Sequence, residues 1–75
     1  MKWQRTLITK EALQPMVENI AKSIKAGDPS IEKMRCVYTL EDDPIVRCLM
    51  PYDFIDKFVL GLKIKKLYLY QASET

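Results

Sequence analysis

The sequence predicts a single small α+β domain. Three observations predict it: one strongly amphipathic helical stretch, four short stretches rich in β-forming residues, and clear turn punctuation between them. Seventy-five residues are one domain. A chain of that size is expected to be stable by only about 4–11 kcal/mol.

Residues 2–8 read as a strand, with Trp3, Arg5 and Leu7 on one face and Gln4, Thr6 and Ile8 on the other. Thr9 is a suitable N-cap for the next element. Leu13, Met16, Val17, Ile20, Ala21 and Ile24 then recur at helical spacing. Glu11 and Glu18 come early, Lys22 and Lys25 come late, and Gly27 follows, an order that suits the helix dipole and a left-handed cap. Pro15 lacks an amide hydrogen and clashes with the preceding turn, so a loose first turn or a kink is expected there.

Asp28-Pro29-Ser30 reads as a turn. Residues 32–40 alternate, with Met34, Cys36, Tyr38 and Leu40 on one face and Arg35, Val37 and Thr39 on the other. Residues 45–50 alternate again, with Val46, Cys48 and Met50 opposed to Ile45, Arg47 and Leu49. If the even-numbered residues of both strands share the apolar face, the hairpin loop has an odd length, with Glu41-Asp42-Asp43 the shortest choice. Cys36 would then face Cys48, Met34 would face Met50 and Tyr38 would face Val46; a β-bulge would change that register.

Asp53 is the expected cap of a second short helix, with Phe54, Ile55, Phe58 and Val59 on one face and Gly61 at its end. The last strand, residues 62–70, slips phase at Lys65-Lys66. A bulge there keeps Leu62, Ile64, Leu67 and Leu69 on one face and turns Tyr68 and Tyr70 to the other. Residues 1–70 form the domain and 71–75 a polar tail.

The element order β-α-β-β-α-β resembles the split βαβ arrangement of ferredoxin-like folds: a four-stranded antiparallel sheet with two helices packed on one face. In that arrangement the first and third strands are central, and the lysine-rich last strand is an edge. The alternative is an antiparallel sheet with a single long helix, in which residues 53–60 are not helical. Neither reading indicates a function by itself.

Composition narrows the function classes. Charged residues make up 29% of the chain and apolar ones 48%, which is globular rather than disordered. Twelve basic and ten acidic residues leave a net charge of +2, less than most nucleic-acid-binding domains carry. The longest apolar run, Phe58 to Leu62, is far shorter than a membrane helix needs, and no signal peptide follows Met1. Two cysteines do not make a secreted disulfide scaffold, so a small cytoplasmic protein with reduced thiols is expected.

The chemistry expected is non-catalytic. The chain has no histidine, the commonest general base and metal ligand, and its two glycines form no phosphate loop. Cys36 and Cys48 lack the further ligands a zinc site needs and form no Cys-x-x-Cys pair, so both read as small core residues. Glu41-Asp42-Asp43 is too short for a calcium loop, and helix capping accounts for Asp53 and Asp56. No cofactor and no metal are expected.

The surface to examine is the sheet face that the helices leave bare. It is expected to carry Arg35, Val37, Thr39, Ile45, Arg47, Leu49, Tyr68 and Tyr70, with Trp3 and Arg5 depending on the orientation of the first strand. Aromatic and aliphatic side chains among arginines are typical of interfaces. The first expectation is a small protein-interaction or regulatory module, an adaptor or inhibitor of a larger machine. It would dock another protein, or a second copy as a homodimer, on this face. The second is a single-stranded nucleic-acid-binding domain, with bases on Tyr68, Tyr70 or Trp3 and phosphates on the arginines and Lys63, Lys65 and Lys66. Against the second, residues 45–50 lack the glycine-and-aromatic signature of RNA-recognition motifs.

Overall fold

A computed structural model describes residues 2–59 and 61–73. Its elements are β1 (Lys2–Leu7), α1 (Lys10–Lys25), a 3-10 helix (Pro29–Lys33), β2 (Met34–Leu40), β3 (Asp43–Leu49), α2 (Pro51–Val59) and β4 (Ile64–Ser73). The fold is α+β, with a four-stranded antiparallel sheet and two helices in the expected order; the single-helix alternative is set aside.

Helix α1 begins where Thr9 stops: its hydroxyl accepts from the Ala12 amide at 3.3 Å. The helix ends in a Schellman motif, with Gly27 at φ 73° and the amides of Gly27 and Asp28 bonded to the carbonyls of Ile24 and Ser23. Pro15 lies inside a helix that runs continuously from Lys10 to Lys25, so the expected loose first turn is not present. The carbonyl that loses its partner belongs to Glu11, and both Pro15 and Glu11 are exposed.

Where a turn was expected, Asp28 caps a 3-10 helix through its Oδ1, which accepts from the Ser30 amide at 2.9 Å. This contact holds the Asp28 carboxyl below its ordinary pKa. The short helix buries Ile31. Helix α2 begins two residues earlier than expected. Pro51 is well suited to a first helical position, and Asp53 therefore sits in the first turn rather than at the cap. Gly61, at φ 82°, ends the helix with its amide on the Phe58 carbonyl at 2.9 Å. The side chain of Val59, expected on the apolar face, lies outside the described residues, as does Leu60.

The sheet order is β1-β4-β2-β3. Strands β1 and β2 run parallel with β4 between them, and β3 and β4 run parallel with β2 between them. The two crossovers are thus interleaved split βαβ units, but the strand positions differ from those expected. Strands β1 and β3 are edges, and β4 is central. The apolar inward residues Ile64, Leu67 and Leu69 suit β4 to a central place, whereas β1 turns Gln4 and Thr6 inward and is exposed along its whole length. Residues 71–73, expected in a free tail, extend β4 and pair with residues 2–4 of β1; residues 74–75 lie outside the described residues.

The β4 bulge is where the sequence indicated. Thr39 pairs with Lys66 and Leu40 with Ile64, so Lys65 is the extra residue. The hairpin register differs. Its turn is the two-residue Glu41-Asp42, whose even length changes the parity, while a register shift between Tyr38 and Leu40 moves the pairing by two residues and keeps it. Cys36 pairs with Leu49, Val37 with Cys48 and Tyr38 with Arg47, replacing the expected Cys36–Cys48 pairing. Asp43 holds the turn: its carboxylate accepts from the Ile45 amide at 3.0 Å and from Arg47 at 2.8 Å.

The core lies between the sheet and the helices. Met16, Val17 and Ile20 of α1, Ile31, Phe54 of α2, Cys36 and Tyr38 of β2 and Leu67 of β4 form it. Phe54 is fully buried, edge-on to Tyr38 with ring centroids 5.4 Å apart. No described helix is long and apolar enough to cross a membrane.

Candidate binding face

The pairing register fixes which side chains point away from the helices. On β1 they are Trp3, Arg5 and Leu7; on β4, Lys66, Tyr68, Tyr70 and Ala72. On β2 they are Arg35, Val37 and Thr39; on β3, Val46 and Cys48. In rows across the sheet, Arg5, Tyr70 and Arg35 lie side by side, and so do Leu7, Tyr68, Val37 and Cys48.

Seven of the expected residues therefore share one face: Trp3, Arg5, Arg35, Val37, Thr39, Tyr68 and Tyr70. Three do not. Ile45, Arg47 and Leu49 face the same way as Tyr38, the partner of Arg47, and point to the helix side, because the two-residue turn in place of an odd-length one reverses β3 relative to expectation. Leu49 packs against the core, Arg47 is bound to Asp43, and Ile45 is 62% exposed at the sheet edge. Leu7, Val46 and Cys48 take their place. The alternation predicts a core place for the even-numbered residues of β3, but Val46 is 66% exposed.

Lys63, Lys65 and Lys66 also separate. Lys63 precedes β4, where its carbonyl accepts from the Glu41 amide at 3.0 Å, and Lys65 is the bulge residue. Of the three, the register sets only Lys66 on the open face.

The strand residues of this face are one-sided in charge, and the carboxylates of Glu41, Asp42 and Asp43 adjoin it only at one end, where they share a depression with Thr39 and Lys66. The face carries Arg5, Arg35 and Lys66, and among the described residues no aspartate or glutamate points from it. The cations lie against the aromatics. The Arg5 guanidinium carbon is 4.8 Å from the Tyr68 ring centroid, and Lys66 Nζ is 5.8 Å from the same ring. The Arg35 guanidinium carbon is 5.8 Å from the Trp3 ring, reaching across β4 at the small Ala72. Such contacts are each worth about 0.5–1 kcal/mol at exposed sites. Arg35 is further fixed by two bonds from its Nη1, to the carbonyls of Glu32 (2.8 Å) and Met34 (2.6 Å). Among the described residues no cation lies over Tyr70.

The two cysteines lie on opposite sides of the sheet. Cys36 is fully buried, and burial, followed by the nearby Cys48, pushes its thiol up to about 12. Cys48 is exposed on the open face. Among the described residues no three His, Cys, Asp or Glu side chains gather as metal ligands would. Compared with protein-family models, curated proteins and solved structures, the chain matches none.

Proposed function

We propose that the chain is a non-catalytic interaction module that engages an anionic macromolecular partner through the open sheet face. One observation carries this reading: three cations and three aromatic rings on the face, with no carboxylate among its described residues. Ten of the chain's residues are acidic, so their absence here is a segregation of charge rather than a lack of acids. A face built only to be solvated would gain nothing from Trp3 and Leu7, which are 44% and 52% exposed. The likeness to ferredoxin-like folds stops at element order and layering, because the strand order differs, and it carries no functional weight. Service as an adaptor or regulator of a larger assembly in the cytoplasm belongs to the same proposal.

The test is an NMR amide-shift titration of the whole chain with two anionic probes, a short single-stranded oligonucleotide and poly-L-glutamate. Shifts from either probe that cluster on Trp3, Arg5, Arg35, Tyr68 and Tyr70 are expected. Shifts confined to α1 and α2 would refute the reading.

A further inference from the structure

The open face has relief as well as charge. One depression of about 320 Å³ is lined by Trp3, Arg35, Val37, Cys48 and Tyr70. A second, of about 270 Å³, adjoins it along Val37 and Tyr70 and reaches Thr39, Val46, Lys66 and Tyr68. Each is walled by aromatic and aliphatic carbon, and each has one cation, Arg35 in the first and Lys66 in the second. Tyr68 and Tyr70 are two residues apart on one strand, about 7 Å along it.

A ligand that matches this relief has flat apolar groups repeating along a chain, with a negative charge beside each group. We infer that the partner is single-stranded nucleic acid, an inference that rests on reading the open face as the binding surface. Unpaired bases offer the flat groups and phosphates offer the charges. A duplex hides its base faces in the stack. An acidic peptide supplies the charges without planar groups beside them. The residues divide the work. Tyr70, which lines both depressions and has no described cation over its ring, takes a base. Arg35, held in place through Nη1, offers the rest of its guanidinium fork to a phosphate. Tyr68, already against Arg5 and Lys66, presents those cations to the neighbouring phosphates.

Fluorescence anisotropy of a short, labelled, mixed-sequence oligonucleotide, as DNA and as RNA, tests this at two salt concentrations. Three phosphate contacts predict a log–log salt slope of about −2, or a weakening of about 16- to 20-fold between 50 and 200 mM salt. Tyr70→Ala is expected to weaken binding about 5- to 150-fold through the loss of one stacked base. Arg35→Ala is expected to weaken it and to flatten the salt slope, while Arg47→Ala, off the face, leaves it unchanged. Failure of both DNA and RNA to bind at tens of micromolar protein would overturn the inference. If poly-L-glutamate still shifted the open-face amides, the reading of the face would stand with an acidic protein partner instead. Oligonucleotide binding that persists in folded Tyr70→Ala and Arg35→Ala would overturn the assignment of the face.

Discussion

The two thiols differ enough in surroundings that simple labelling reads the sheet register. Cys36 is fully buried and its thiol is pushed up to about 12 from an ordinary 9.0. A difference of about 3 in pKa leaves about a thousandfold less thiolate at any pH below 9, and thiolate is the reacting form. Burial slows the reaction further, because reagent reaches Cys36 only when the core opens. Cys48 is exposed on the other side of the sheet. A maleimide or aromatic disulfide at pH 8, followed by intact-mass analysis, should therefore add one label quickly and the second only in denaturant. Cys48→Ala should remove the fast label. In the register with Cys36 opposite Cys48, both thiols would face the helices and neither would label in the native protein. That result, or equal rates for both, would refute the placement of β3 and with it the composition of the open face.

Three further perturbations test the packing. Phe54→Ala should cost about 3–5 kcal/mol and leave a domain of this size barely folded, read as a lowered or lost thermal transition; an unchanged transition would mean α2 does not close the core. Pro15→Ala should raise stability by about 1–3 kcal/mol, since Pro15 is exposed and its ring only interrupts the helix ladder. Asp43 has its pKa lowered chiefly by the Ile45 amide, partly offset by desolvation and lowered further by Arg47. A lowered folded pKa gives stability that is fully present above the ordinary value of 3.8 and is lost as pH falls through the folded value. The advantage of the parent over Asp43→Asn in thermal melts should therefore be clear at pH 6 and shrink as the pH falls below 3.8.

Helix α1 was legible because its apolar residues repeat at one period only, and its ends carry Thr9, whose hydroxyl caps the first turn, and Gly27, whose positive φ closes the last. The β4 bulge was legible for the same reason: two adjacent lysines interrupt an otherwise regular alternation. Strand β3 was not, because apolar residues occupy both of its parities, Ile45 and Leu49 on one side and Val46 and Cys48 on the other. Periodicity cannot orient such a strand, and a one-residue shift in the hairpin reverses it. Arg47 was misplaced as a consequence. The central place of β4 could have been inferred from β1, whose inward Gln4 and Thr6 suit an edge. The lysines of β4 pointed the other way, yet Lys63 lies before the strand and Lys65 sits in the bulge. The 3-10 helix had a signal in Asp28-Pro29, an N-cap residue followed by a proline at the first helical position.

The most direct test of the binding face uses the exposed thiol itself. A bulky maleimide on Cys48 projects from the wall of the depression that Trp3, Arg35 and Tyr70 line. The labelled protein should keep a cooperative thermal transition and lose affinity for the single-stranded oligonucleotide. Undiminished binding by protein shown to be fully labelled at Cys48 would contradict the account, because the partner would then sit elsewhere.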